Sequence, residues 1–187
     1  MKNIVLASQS PRRKELLEKT GFPFTCDPAD IDETIDIHGD IVDESKNLSY
    51  RKAKEVLSRH PQDIIIGSDT LVLLNGKVMG KPADDNQAFT MLKNLQNHKS
   101  QVVTSLCILS SEKCFQYACI ADVYFVKMSD EEIWEYIHTG ETNDKAGAYA
   151  IQGIGGRYIK EIRGDYYAIM GLPLHVVYDE LKNHNDY

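Results

Sequence analysis

The chain has 187 residues, 42% of them hydrophobic, and a formal charge of −7 at neutral pH. That length and apolar content allow a core built without metal or disulfide support, and the acidic balance excludes a protein that tracks nucleic acid backbone, which needs basic surface to displace counterions. No apolar run reaches the roughly 18 residues of a membrane span, and no cationic and apolar leader precedes the first strand. Cys26, Cys107, Cys114 and Cys119 lack the paired spacing of zinc or redox sites. The expectation is a soluble cytoplasmic protein whose cysteines are reduced core residues.

Residues 4–7 read as a short buried strand. Ser10 and Pro11 supply an N-cap and a first-turn proline for a helix over 12–19, with Leu16 and Leu17 inward and Gly21 placed to end it. Arg12 and Arg13 therefore stand in the opening turn, where unpaired N–H groups and the macrodipole are already positive. A solvated surface pair would fit there, but the strand-to-helix setting favours a docked anion, and phosphate is the obvious one. Residues 22–26 read as a strand, and 27–43 as an acidic irregular stretch. Residues 45–59 have helical periodicity through Leu48, Val56 and Leu57. Two apolar runs, 64–66 and 71–74, flank a polar centre, and Asn75-Gly76 turns the chain back into 77–79. Residues 84–95 form an amphipathic helix with Ala88, Met91, Leu92 and Leu95 on one face.

Residues 101–109 and 114–128 read as long strands, the second partly alternating. Ser129 and Glu132 form a capping box for a helix that Gly140 closes. The stretch 146–162 is strand-like but interrupted by Gly147, Gly153, Gly155 and Gly156, which suggests backbone held close to something. Pro173 starts a last helix. Strands and helices alternate without repeats or a low-complexity linker, which predicts a single α/β domain over 1–187 around a mixed sheet.

Several polar residues lie where a core should exclude them. Asp69 sits inside an apolar run, where a carboxylate is costly unless paired, metal-bound or opened to a cleft. It can be one half of a structural ion pair or an active carboxylate. Lys52 shares a helical stripe with Leu48 and Val56, so its amine points inward or snorkels past the apolar face. Lys81, between Gly80 and Pro82, is presented from a stiffened loop and is otherwise an ordinary surface lysine. Gln152 reads as a buried amide that braces the backbone or reads a base edge. Glu33 is either a solvated acid or a second carboxylate facing a metal such as magnesium. The histidines have no ligand spacing.

Segment 6–17, Leu-Ala-Ser-Gln-Ser-Pro-Arg-Arg-Lys-Glu-Leu-Leu, closely resembles the N-terminal signature of the Maf family of nucleoside triphosphate pyrophosphatases. Glu33, Arg51-Lys52-Ala53, Gly67-Ser68-Asp69-Thr70, Gly80-Lys81-Pro82, the segment 144–153 and Gly171-Leu172-Pro173 stand in family order, so the resemblance covers the whole chain. It implies an inosine-triphosphatase-like α/β fold with two lobes around a cleft, usually dimeric. It also implies hydrolysis, dependent on Mg2+ or Mn2+, of nucleoside triphosphates to monophosphate and pyrophosphate. By that resemblance Asp69 is the proton acceptor and a metal-facing carboxylate with Glu33. Arg12, Thr70 and Gln152 set substrate choice, and Ser8, Arg13, Lys52 and Lys81 bind substrate phosphates. Ala146-Gly147-Ala148-Tyr149 with Gln152 looks like the branch acting on dTTP and UTP, with modified pyrimidine nucleotides as further candidates, rather than the branch acting on 7-methyl-GTP. Ser49 departs from the alanine expected beside Lys52. A non-catalytic nucleotide-binding regulator of septum formation is the alternative from another class; it would have less use for Asp69, whose charge opposes a triphosphate unless metal and water chemistry occupy it.

Overall fold

Ile4–Leu6 (β1) is apolar on both faces and pairs in parallel with Phe24–Cys26 (β2) on one side and with Ile64–Leu74 (β3) on the other. Such continuous apolar runs suit strands covered on both faces. In this computed structural model, which describes residues 2–183, seven strands form one sheet in the order β2-β1-β3-β5-β6-β7, with β4 paired to β3. The others are Lys77–Met79 (β4), Lys99–Leu109 (β5), Cys114–Phe125 (β6) and Ile159–Arg163 (β7). β3 with β4 and β6 with β7 run antiparallel, so the sheet is mixed, as the alternation of elements predicts.

Six α-helices accompany it among the described residues: Pro11–Glu18 (α1), Ile41–Arg59 (α2), Asp85–Leu95 (α3), Asp130–His138 (α4), Tyr166–Met170 (α5) and Leu174–Lys182 (α6). Ser10 caps α1 with Pro11 in the first turn, and Ser129 with Glu132 completes the expected capping box of α4. α2 starts earlier than its apolar periodicity does, because Asp40 accepts the Val42 and Asp43 amides and so sets the helix origin inside the acidic stretch. α5 has no strong sequence signal; Asp165 caps it through the Tyr167 and Ala168 amides.

The chain divides into two compact units. Among the described residues the first comprises 2–69, 104–119 and 171–183, with a core around Val5, Ala53, Val56, Ile65 and Cys107. The second comprises 70–103 and 120–170, with a core around Val72, Leu92, Val123, Phe125, Ile133, Tyr136 and Tyr149. β3, β5 and β6 each contribute residues to both.

Two expectations are corrected. The stretch 146–162 is strand only from Ile159; Ala146–Ala148 and Ile154–Tyr158 are 3₁₀ turns, and the left-handed φ values of Gly147 (69°) and Ala148 (60°) are incompatible with a ladder. Of the cysteines only Cys107 is buried. Cys119 is half-buried and Cys26 and Cys114 are exposed, and no disulfide links them among the described residues. Nor is any helix among the described residues long and apolar enough to cross a membrane.

Candidate active site

A single glycine sets the geometry of the first unit. A Cβ on Gly67 would stand 2.3 Å from the Ser49 carbonyl oxygen and 3.1 Å from the Ala53 Cβ, so its absence lets α2 lie directly on β3. Lys52, on α2, thereby reaches Asp69, two residues beyond that glycine. Its Nζ donates to Asp69 Oδ1 at 3.2 Å and to Glu33 Oε2 at 2.9 Å. Lys52 and Asp69 are buried, 5% and 6% exposed, whereas Glu33 approaches from the exposed loop. The Ser45 hydroxyl faces Asp69 Oδ2 at 3.5 Å and lies 2.9 Å from the Ser105 hydroxyl, which donates to the Ser45 carbonyl.

Arg51 explains how a surface loop delivers Glu33 to a buried amine. Its Nη1 donates to the Asp32 carbonyl at 2.8 Å and its Nη2 to the Thr34 carbonyl at 2.9 Å, fixing the backbone on both sides of Glu33. Arg51, Lys52 and Ala53 thus have three distinct tasks: holding the acidic loop, pairing the carboxylates and packing on β3. Ser49, the position that departs from alanine, is buried and gives its hydroxyl to the Lys46 carbonyl at 2.8 Å, so no polar group is stranded.

The second cluster in this unit is the β1–α1 junction. Ser8 Oγ accepts from the Ser10 amide at 3.1 Å and from Arg13 Nη1 at 3.4 Å, and Arg13 Nε donates to the Gly171 carbonyl at 3.0 Å. The buried Ser68 hydroxyl lies 2.9 Å from that same carbonyl. Burial lowers the Arg13 guanidinium from its ordinary value, Asp69 and Glu33 oppose the change, and the neighbouring charge of Arg12 adds to it. Arg13 is therefore within electrostatic reach of both carboxylates. Arg12, half-buried and also lowered by desolvation, makes no ion pair among the described residues. Two guanidinium groups, one of them without an ion-pair partner among the described residues, thus concentrate positive charge at a helix N-terminus that is already positive.

The other expected residues belong to the second unit. Thr70 is half-buried in β3. Lys81 is exposed in the loop after β4, where the preceding Gly80 carbonyl accepts the Gly147 amide at 3.1 Å. Gln152, expected as a buried amide in a strand, is instead exposed in a turn between the two 3₁₀ segments. Glycine-rich sequence alternating with apolar residues imitates a strand, but the conformation of this backbone is set by contacts that no local pattern reveals.

The residues that sequence reasoning missed are mostly the supporting ones. Ser45 and Ser105 carry no pattern that distinguishes them from surface serines, and Tyr136 and Glu141, which share a hydrogen bond of 2.7 Å, are joined only by the fold. Arg51 was legible as part of a motif, although its two carbonyl partners were not.

A profile of the Maf-like protein family matches residues 3–184. The chain is 39% identical to the dTTP/UTP pyrophosphatase of Ruminiclostridium cellulolyticum, with 100% of this chain and 98% of that protein covered. It is 42% identical to the dTTP/UTP pyrophosphatase of Acholeplasma laidlawii, covering 97% of this chain and 96% of the other. Among solved structures, the Ham1 protein of Staphylococcus aureus shares the fold with a TM-score of 0.54 at 14% identity, over 98% of this chain and 100% of that one. With that profile spanning nearly every residue, and with the segments that build the Asp69, Lys52 and Arg13 clusters standing within it in order, the chain belongs to the Maf-like protein family.

Proposed function

We propose that this protein hydrolyses dTTP and UTP to the monophosphate and pyrophosphate, and that it acts on modified pyrimidine nucleotides by the same chemistry, as a house-cleaning enzyme of the cytoplasm. The observation that carries the reading is the buried pair of Asp69 and Lys52, 3.2 Å apart, with Arg13 in electrostatic reach and Arg12 unpaired beside it. Relatives similar over nearly their full length carry the same name, which supports the substrate class. In this reading Arg12, Arg13, Lys52 and Lys81 neutralise the triphosphate, with Ser8 beside Arg13. Asp69 orients a water molecule and takes its proton as the oxygen attacks the α-phosphorus. The bond from that phosphorus to the oxygen bridging to the β-phosphate breaks, and pyrophosphate leaves with its charge already compensated. Thr70, Gln152 and Arg12 set the choice of nucleotide.

A divalent cation, Mg2+ or Mn2+, belongs to this proposal. Glu33 and Asp69 converge on the same ammonium group and offer only oxygen donors, the set that hard cations prefer. Among the described residues no three acidic, histidine or cysteine side chains converge, so Glu33 and Asp69 are the residues that would hold the cation, with water and substrate phosphate as the further oxygen donors it would need. When bound it supplies charge neutralisation and acidifies water. A homodimer is the proposed assembly.

The test is a panel of nucleoside triphosphates incubated with purified protein and either metal, with pyrophosphate and orthophosphate release measured separately. Pyrophosphate should appear with dTTP and UTP and require added cation. Stepwise orthophosphate release with accumulating diphosphate would overturn the reaction, full turnover in excess chelator would remove the metal, and preference for 7-methyl-GTP would overturn the substrate.

A further inference from the structure

Gln152 is the third residue of a four-residue turn, 150–153, closed by the Gly153 amide donating to the Ala150 carbonyl at 3.3 Å. One pair of side chains holds the first residue of that turn and the two residues that follow it. The hydroxyl of the buried Tyr136 accepts from the Ala150 amide at 3.1 Å and donates to Glu141 Oε1 at 2.7 Å. Glu141 then accepts the Ile154 amide at 2.8 Å through Oε2 and the Gly155 amide at 2.9 Å through Oε1. The glycines on the far side are where the backbone meets these groups. A Cβ at Gly153 would stand 2.2 Å from Glu141 Oε2, and one at Gly155 would stand 2.4 Å from the Tyr136 hydroxyl oxygen.

Partial burial raises the Glu141 carboxyl, but the Gly155 amide, the Tyr136 hydroxyl and the Ile154 amide outweigh it and hold the group below its ordinary value. Burial and the bond to Glu141 raise Tyr136 above its own. The pair is therefore a fixed anion and a fixed donor. An exposed turn needs only its own hydrogen bond to form; this one has a further bond from its first residue to Tyr136, the two residues that follow it are bound to Glu141, and at its tip it carries a primary amide that can both donate and accept.

We propose that Tyr136 and Glu141 are positioning residues for substrate choice: they hold the turn 150–153 so that the Gln152 amide meets the substrate base in a single geometry. This rests on the reading of the protein as a dTTP/UTP pyrophosphatase. Glu141→Gln keeps the volume but sets an amide N–H2 against one of three donors, and Tyr136→Phe strands the Ala150 amide.

The experiment measures kcat and KM for dTTP, UTP and dGTP in the wild type, Glu141→Gln, Tyr136→Phe, Gln152→Ala and the double variant of Glu141→Gln with Gln152→Ala, with Tm as the folding control. Glu141→Gln and Tyr136→Phe should each lower the dTTP-to-dGTP ratio of kcat/KM about tenfold, the scale of one unsatisfied polar group. Glu141→Gln should add nothing to that ratio once Gln152 is alanine. An unchanged ratio in the folded variants, or additive effects on the ratio, would overturn the proposal, as would an equal loss on all three substrates. If only Tyr136→Phe folds, it carries the same criterion; if neither folds, the pair is structural and the proposal falls. Absence of turnover in the wild type would overturn the substrate reading alone. The tie is then judged by hydrogen exchange of the Ile154 and Gly155 amides, expected to be about tenfold faster in Glu141→Gln at unchanged Tm and overturned by unchanged exchange.

Discussion

Replacing Lys52 with methionine isolates the charge balance at the centre of the site. Side-chain exposure is 6% for Lys52, 8% for Asp69 and 60% for Glu33, so the two arms of the cluster differ sharply. In Lys52→Met the stem is kept and the ammonium lost, which leaves the Asp69 carboxylate buried with the Ser45 hydroxyl at 3.5 Å and only the longer-range charge of Arg13. Removing one partner of a buried pair costs about 3–5 kcal/mol, chiefly because the other charge stays uncompensated. The exposed arm is worth far less: Glu33→Gln should cost under about 1 kcal/mol, in the range of surface pairs. Adding Asp69→Asn to Lys52→Met removes the stranded charge and should recover about 2 kcal/mol of the loss, a coupling typical of groups in contact. Reversible urea unfolding at pH 7 measures all four proteins, provided the slope with denaturant is unchanged. A loss below about 1 kcal/mol in Lys52→Met, or no recovery in the double variant, would mean that water solvates Asp69 and that the pair is not a buried one.

Asp69→Asn alone should abolish hydrolysis, by on the order of 10²–10⁴ in kcat, while nucleotide binding is kept or strengthened because a charge opposing phosphate is gone; near wild-type turnover would make Asp69 structural. Gln152→Glu should lower kcat/KM for dTTP and UTP about tenfold and alter the preference among bases, since the amide donor is replaced by a negative charge; an equal loss on purine triphosphates would end its assignment to base choice. Gly67→Ala should cost about 1–3 kcal/mol and lower kcat together with Tm, because the clash is with the α2 backbone at Ser49 and that helix carries Lys52; unchanged Tm would show that the helix yields without cost. Glu141 is held below its ordinary value, so its stabilisation is full above that value and fades as pH falls through the lower folded one. Stability measured from neutral pH downward should therefore drop less steeply in Glu141→Gln than in the wild type, and identical slopes would contradict the hydrogen-bonded carboxylate.

The sequence by itself determined the elements whose signals are local. Ser10-Pro11 and Ser129 with Glu132 start α1 and α4 through bonds that reach only three residues, and the run 64–74 is apolar enough to demand burial whatever surrounds it. It also determined that Asp69 and Lys52 needed explanation, since a charge in an apolar setting is anomalous before any partner is known. The tertiary structure decided that they answer each other, because the distance from Lys52 to Asp69 depends on the closeness of α2 to β3, and that depends on the missing side chain at Gly67. It likewise turned the glycine-broken stretch around Gln152 from an expected strand into a tied turn. The carboxylate of Glu141 and the hydroxyl of Tyr136 satisfy amides that a ladder would otherwise have paired, and the bonds that replace the ladder come from residues as many as 14 positions away.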